Sequence, residues 1–296
     1  MSTPSQQSLP DILRATPPDR PVLIAGPTGS GKSALALALA EASRGRIINA
    51  DALQVYENWR ILTARPSAPE EARAPHALYG HIAATAPYSA GHWLRDVAQL
   101  LADGPRPIVV GGTGLYFSAL TEGLADIPET PPDIRVEADR MSPDALRAAL
   151  DAPTLRRIDT ANPARLRRAW EVLATTGRGL ADWQDATAPP LLDSQASTRL
   201  VVDAPKDRLT PRLAARFDAM LRAGALDEVR ANLDSWDPSR PSARAIGAVE
   251  LVAHLRGEMS LADARDAAIV ATRQYAKRQR TWFRARMRDW VHLPML

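Results

Sequence analysis

The sequence predicts an α/β fold, a parallel sheet flanked by helices, with a helical insertion partway along the chain. Three observations predict it. Short apolar runs (Val22–Ala25, Arg46–Asn49, Pro107–Val110, Arg199–Val202) alternate with stretches of helical periodicity, the pattern of strands buried on both faces. Two of these runs end in glycine-rich turns, Gly26–Ser33 and Gly111–Gly114, at the strand ends where open α/β sheets place ligands. Between Asp133 and Trp183 the pattern is helical, without a convincing strand and rich in arginine.

The first run leads into Gly26-Pro27-Thr28-Gly29-Ser30-Gly31-Lys32-Ser33 and then into Ala34–Ala40, which has helical character. Strand, glycine-rich turn and helix form the context in which G-x-x-x-x-G-K-[ST] is a P-loop. The sheet is therefore P-loop NTPase-like. Inward-pointing backbone N–H groups, the helix N-terminus and Lys32 make a pocket for two linked phosphates. Ser33 takes the position of the usual Mg²⁺ contact. The motif alone does not say whose phosphates are bound.

The second run ends near Asp51, close to the mouth of the P-loop. Asp51 reads either as a turn or N-cap residue or as a carboxylate facing the phosphates, where it could hold a metal through water or act as a general base. Residues 58–75 are proline-broken loop with short helix, and 76–82 form an edge strand. Residues 89–102 form a helix with Trp93, Val97, Leu100 and Leu101 at helical spacing, stopped at Asp103-Gly104-Pro105. Thr113, in the second glycine turn, reads as turn chemistry or as a hydrogen-bonding group for substrate, and a helix follows from Leu115.

Ile127–Pro132 reads as a linker into the helical insertion. Arg199–Val202 is the last strand, and the remainder is helical: 209–223, 226–233, 249–255 and a long basic helix over 261–288. Arg212 and Arg216 lie one turn apart on one face; taken alone, Arg216 could equally be a surface charge. Few acids interleave with Arg273, Lys277, Arg278 and the arginines that follow, the footprint expected where a helix meets a phosphate backbone. The expected organisation is a flexible N-terminal arm over 1–20, a discontinuous catalytic core over 21–122 and 198–296, and the insertion over 123–197.

Bulk properties narrow the classes. A chain of 296 residues can bury a sizeable core, and its formal net charge of +3 is carried almost entirely by arginine, the only lysines being Lys32, Lys206 and Lys277. There is no cysteine, and the five histidines lack zinc-ligand spacing, which excludes disulfides and thiolate metal sites. No apolar run approaches membrane-spanning length, and residues 2–20 lack the apolar core of a signal peptide. The expectation is a cytoplasmic monomer.

The ordered motifs resemble those of the tRNA dimethylallyltransferase (tRNA isopentenyltransferase) family. The resemblance rests on Gly26–Ser33; Asp51-Ala52-Leu53-Gln54-Val55-Tyr56; Tyr88-Ser89-Ala90; Gly111–Tyr116; Arg212–Leu221; and Ala271-Thr272-Arg273-Gln274-Tyr275-Ala276-Lys277-Arg278-Gln279. It spans nearly the whole chain. Departures are Gly29 for alanine, Ala52 for serine, Trp59–Pro66 for the family's M-D-I-G-T-A-K-P, Gly80 for aspartate, and Ala248-Val249 for an aromatic and a base.

The resemblance implies transfer of a dimethylallyl group from dimethylallyl diphosphate to the N6 amine of the adenosine 3′ to the anticodon, in tRNAs reading codons that begin with U. The P-loop, Gly26 to Ser33, would then hold the diphosphate together with Arg216 and Mg²⁺ on Ser33. Catalysis would fall to Asp51, Thr113, Lys32 and Arg216. The tRNA anticodon stem-loop would meet Asp51, Ala52, Leu53, Gln54 and Thr113, then Arg135, Arg165, Leu166, Arg167 and Arg168, the turn of Arg244, Ile246 and Gly247, and the basic helix. A P-loop nucleotide or small-molecule kinase is the competing reading, with Asp51 positioning an acceptor hydroxyl.

Overall fold

The computed structural model describes residues 12, 16, 17, 20–193 and 195–294. Six strands form one parallel sheet in the order β3-β2-β4-β1-β5-β6: β1 (Val22–Ala25), β2 (Arg46–Asn49), β3 (His76–Ala77), β4 (Pro107–Gly111), β5 (Thr198–Val202) and β6 (Val291–Leu293). The central strands are β4 and β1, and every residue of β1 is buried. A parallel sheet covered on both faces has no solvent side to accommodate polar residues, which is why these strands read as unbroken apolar runs. Val22, Ile24, Ile47, Ile108, Val110 and Leu200 pack with Leu35 and Leu39 of α1 (Lys32–Ser43) into the main core.

The chain divides into two compact units, one of residues up to Phe117 and from Leu192, the other from Ser118 to Leu191. In the first, α2 (Ala68–Glu71) and α3 (Ala90–Ala102) follow β2 and β3; α4 (Gly114–Glu122) begins in the first unit and ends in the second. After β5 come α10 (Lys206–Arg222), α11 (Ala225–Ala231), α12 (Ala248–Leu255) and α13 (Leu261–Arg286). The second unit carries α5 (Pro132–Arg140), α6 (Pro143–Ala149), α7 (Ala152–Arg157), α8 (Pro163–Thr176) and α9 (Leu180–Asp185). Three of its helices begin with Ser142, Asp151 or Asn162 capping a backbone N–H, each followed by proline in the first turn.

Four details differ from the sequence reading. The chain returns to the sheet once more after the long helix: β6 pairs with β5, Leu200 opposite Val291. The edge strand shrinks to His76–Ala77, with a separate bridge between Tyr56 and Ile82. The segment read as a linker is anchored, since Thr130 is buried and its hydroxyl accepts a bond of 2.7 Å from Arg168. Most of the expected N-terminal arm lies outside the described residues, but Ile12 is buried in the main core and the Arg106 guanidinium donates to the carbonyls of Pro17 and Arg20.

Candidate active site

The P-loop runs from the end of β1 to the start of α1. Gly29 and Gly31 have φ of +79° and +96°, a region that L side chains enter only with strain, so glycine at both lets the loop fold back over its own N–H groups. Lys32 reaches back to the Pro27 carbonyl at 3.3 Å. Burial pushes the Lys32 ammonium down to about 8; the Asp51 charge opposes this and Arg216 adds to it. Arg216, half-buried on α10, is likewise pushed down by burial and held up by Asp51. Two cations and one carboxylate thus share a small, poorly solvated space. Cations held there without full hydration are stabilised when an anion arrives.

Asp51 is placed by Asn49, a fully buried residue that sequence reasoning overlooked. Asn49 accepts from the Asp51 N–H at 2.8 Å and donates to the carbonyls of Asp51 and Leu78 at 3.0 and 2.9 Å. One Asp51 oxygen accepts the Leu53 N–H at 3.0 Å. Turn residue and candidate base are therefore the same group: Oδ1 closes the turn, while Oδ2 faces Gly112, 3.3 Å from where a Cβ there would lie. The Thr113 hydroxyl accepts from the Ala52 N–H at 2.9 Å and also bonds the Tyr275 phenol. Gln54 turns inward and its amide donates to the carbonyls of Thr63 and Ala64, so it props the loop that lines the cavity.

Asp51, Arg216 and Thr28 open onto a cavity also lined by the apolar Leu53, Leu62, Leu213, Phe217, Met220 and Ile246 and by Thr63 and Thr272. Tyr275 of α13 also lines it, its phenol held well above the usual range by burial and by the Asp51 charge. The Leu62 wall is set by Glu228 of α11, whose carboxylate accepts the N–H groups of Arg60, Ile61 and Leu62 at 2.6, 2.8 and 2.9 Å. A further amide, Gln279 of α13, is buried between the two glycine turns. It accepts the Thr28 N–H at 2.9 Å and donates to the Gly112 carbonyl at 2.9 Å. Thr28, expected to offer its amide to phosphate, therefore offers it to Gln279.

The structure sorts the expected RNA contacts. Arg273, Lys277 and Arg278 lie exposed on α13 and form no ion pair among the described residues; Arg278 lies over the Tyr275 ring at 5.9 Å. Arg244 is exposed, Ile246 lines the cavity, and Gly247 is buried against Phe217. In the second unit Arg165 is exposed, Arg135 pairs with Glu129, Arg167 with Asp139 and Arg168 with Glu171. Leu166 is fully buried with Leu146, Leu150 and Ala169, so the expected RNA contact there is corrected: its side chain belongs to the core and orients the arginines beside it.

Ser33 is exposed on the first turn of α1. Among the described residues no cluster of three His, Asp or Glu side chains could hold a metal. A hydroxyl without a carboxylate cage suits Mg²⁺, which is commonly bound through substrate phosphate oxygens and water with few protein ligands.

The fold and site define an α/β protein with a P-loop beside a largely apolar slot and a carboxylate. The chain belongs to the IPP transferase family, whose sequence model matches residues 54–286. It is 63% identical over 292 residues to a tRNA dimethylallyltransferase of Cereibacter sphaeroides, covering 97% of this chain and 92% of that protein. It is 61% identical to a tRNA dimethylallyltransferase of Dinoroseobacter shibae, covering 97% and 98%. Among solved structures, a eukaryotic dimethylallyltransferase acting on tRNA matches with a TM-score of 0.79 at 25% identity, covering 93% of this chain and 73% of that one. The full-length tRNA isopentenylpyrophosphate transferase of Bacillus halodurans matches with a TM-score of 0.66 at 29% identity, covering 94% and 90%.

Proposed function

We propose that this chain transfers a dimethylallyl group from dimethylallyl diphosphate to the N6 amine of the adenosine 3′ to the anticodon, in tRNAs reading codons that begin with U. The observation that carries this reading is the cavity itself. An apolar slot lined by Leu53, Leu62, Leu213, Phe217, Met220 and Ile246 adjoins the Lys32–Arg216 anion site, which suits a short hydrocarbon attached to a diphosphate.

The donor's diphosphate lies on the P-loop amides, Lys32 and Arg216, with its prenyl chain in the slot. The allylic C1–O bond breaks and its electron pair leaves with the diphosphate, where the two cations stabilise the growing charge. The adenine N6 lone pair forms the new C1–N bond, and the N6 proton passes to Asp51 Oδ2. Thr113, whose hydroxyl bonds the Tyr275 phenol, orients the base together with it. Ser33 would hold Mg²⁺, which would supply further charge neutralisation. An adenosine in a loop must leave its stack to reach this depth, so RNA has to be gripped from outside the cavity. The unpaired cations of α13, with Arg244, provide that grip, and Arg165 of the insertion adds to it. No helix among the described residues is long and apolar enough to cross a membrane, and the reading places a monomer in the cytoplasm with tRNA.

The test is incubation with unmodified tRNA and labelled dimethylallyl diphosphate, with γ-labelled ATP in parallel. Label appearing in tRNA without ATP is the expected result. Transfer or hydrolysis of the ATP γ-phosphate, with none of the prenyl label in tRNA, would establish the kinase instead.

A further inference from the structure

The pairing of β1 with β4 ends at Ala25 and Gly111. Beyond it the chain leaves in two turns, the P-loop and the Gly111–Gly114 turn, which flank the donor and acceptor sides of the cavity. Gln279 continues the tie between them: its carboxamide accepts from Thr28 N and donates to Gly112 O, both at 2.9 Å. The side chain is only 5% exposed, although Lys277 and Arg278 beside it are exposed. The fit is tight. A Cβ at Gly112 would lie 2.1 Å from Gln279 Nε2, so glycine is needed there for the carboxamide to reach the carbonyl.

We infer that Gln279 is a positioning residue for transfer, fixing the gap between the diphosphate held by the P-loop and the amine held at Asp51 and Thr113. The inference rests on the reading that the donor's diphosphate sits on the P-loop. Transfer needs the attacking nitrogen and allylic carbon within about 3–3.5 Å, and a shift of about 1 Å costs about 10²-fold in rate. A loosened tie changes that distance while leaving each binding surface intact.

Gln279→Met keeps the volume and removes both backbone hydrogen bonds, together with the bond to the Tyr275 phenol. The expected result is a fall of about 10²-fold in single-turnover transfer, with the Kd values for tRNA and for an unreactive dimethylallyl diphosphate analogue each within about threefold of wild type. Gly112→Ala should reproduce the defect by displacing the carboxamide, and the double variant should be no worse than either single one, since both remove the same tie. If Gln279→Met fails to fold, Gln279→Glu carries the same criterion: it retains an acceptor for Thr28 but sets a carboxylate against the Gly112 carbonyl. A transfer rate within about threefold of wild type, additive losses in the double variant, or a rate loss matched by weakened binding of both substrates would overturn the inference. Lys32→Met separates the two levels: unimpaired binding of the analogue by that variant sinks the diphosphate reading, whereas an impaired Lys32→Met beside a normal Gln279→Met sinks only the role of Gln279.

Discussion

Lys32 offers a prediction with a magnitude. Its ammonium sits near 8 in the free protein because burial outweighs the attraction of Asp51. At pH 7 about nine-tenths of the molecules carry the charge, and at pH 9 about one-tenth do. If only the ammonium form grips the diphosphate, apparent affinity for dimethylallyl diphosphate falls about tenfold between those pH values. Near pH 8, binding draws up about half a proton, because the arriving anion raises the lysine pKa. Titration calorimetry in two buffers of different ionisation enthalpy reads both quantities, and Lys32→Arg should flatten the pH dependence. For stability the sign is opposite to that of an ordinary ion-paired lysine. The folded pKa lies below the unfolded value, so the folded state binds fewer protons between about 8 and 10.5 and stability rises with pH across that window. Lys32→Met should therefore raise the Tm of the free protein at pH 7 while abolishing transfer. Diphosphate affinity unchanged to pH 9.5, with no proton uptake, would refute the reasoning.

Three further outcomes are expected. Asp51→Asn should lower turnover by about 10²–10⁴-fold with tRNA affinity little changed, as filter binding and single-turnover kinetics would report; a normal rate would remove Asp51 as the base. Glu228→Ala strips the acceptor from three backbone N–H groups and should cost about 2–4 kcal/mol in urea denaturation, with KM for the prenyl donor rising as the Leu62 wall loosens; an unchanged midpoint would contradict that role. Binding of tRNA should weaken steeply with salt because the cations of α13 meet phosphates, and Lys277→Ala should lower the slope of log K against log salt by about one. A flat response would place the RNA elsewhere.

The sheet was legible because its inner strands are buried on both faces and so appear as continuous apolar runs. The strand β6 was not: Val291-His292-Leu293 has two exposed residues, and its strand state comes from the β5 edge it meets. The insertion was legible as helical, but its short helices are delimited by cap and proline pairs that a periodicity reading passes over. In the site, the residues on local motifs were legible, since a P-loop and a strand-end aspartate declare themselves within a few positions. Asn49, Glu228 and Gln279 were not. Glu228 and Gln279 act through backbone groups far away in the chain, up to 251 positions for Gln279 and Thr28, Asn49 ties Asp51 to Leu78, and nothing in a buried asparagine or glutamine names its partner. Gln279 did close the motif run that begins at Ala271, but it lies inside a basic stretch, and that stretch reads first as surface charge.

The central claim is that Gly26–Ser33 holds a departing diphosphate. The most direct measurement is prenyl transfer to unmodified tRNA in an ATP-free reaction, comparing the wild-type protein with Lys32→Met. Full transfer by the wild type without ATP, loss of transfer in the variant, and tRNA binding intact in both are expected. A wild-type reaction that stalls until ATP is added, or a Lys32→Met protein that transfers normally, would contradict it.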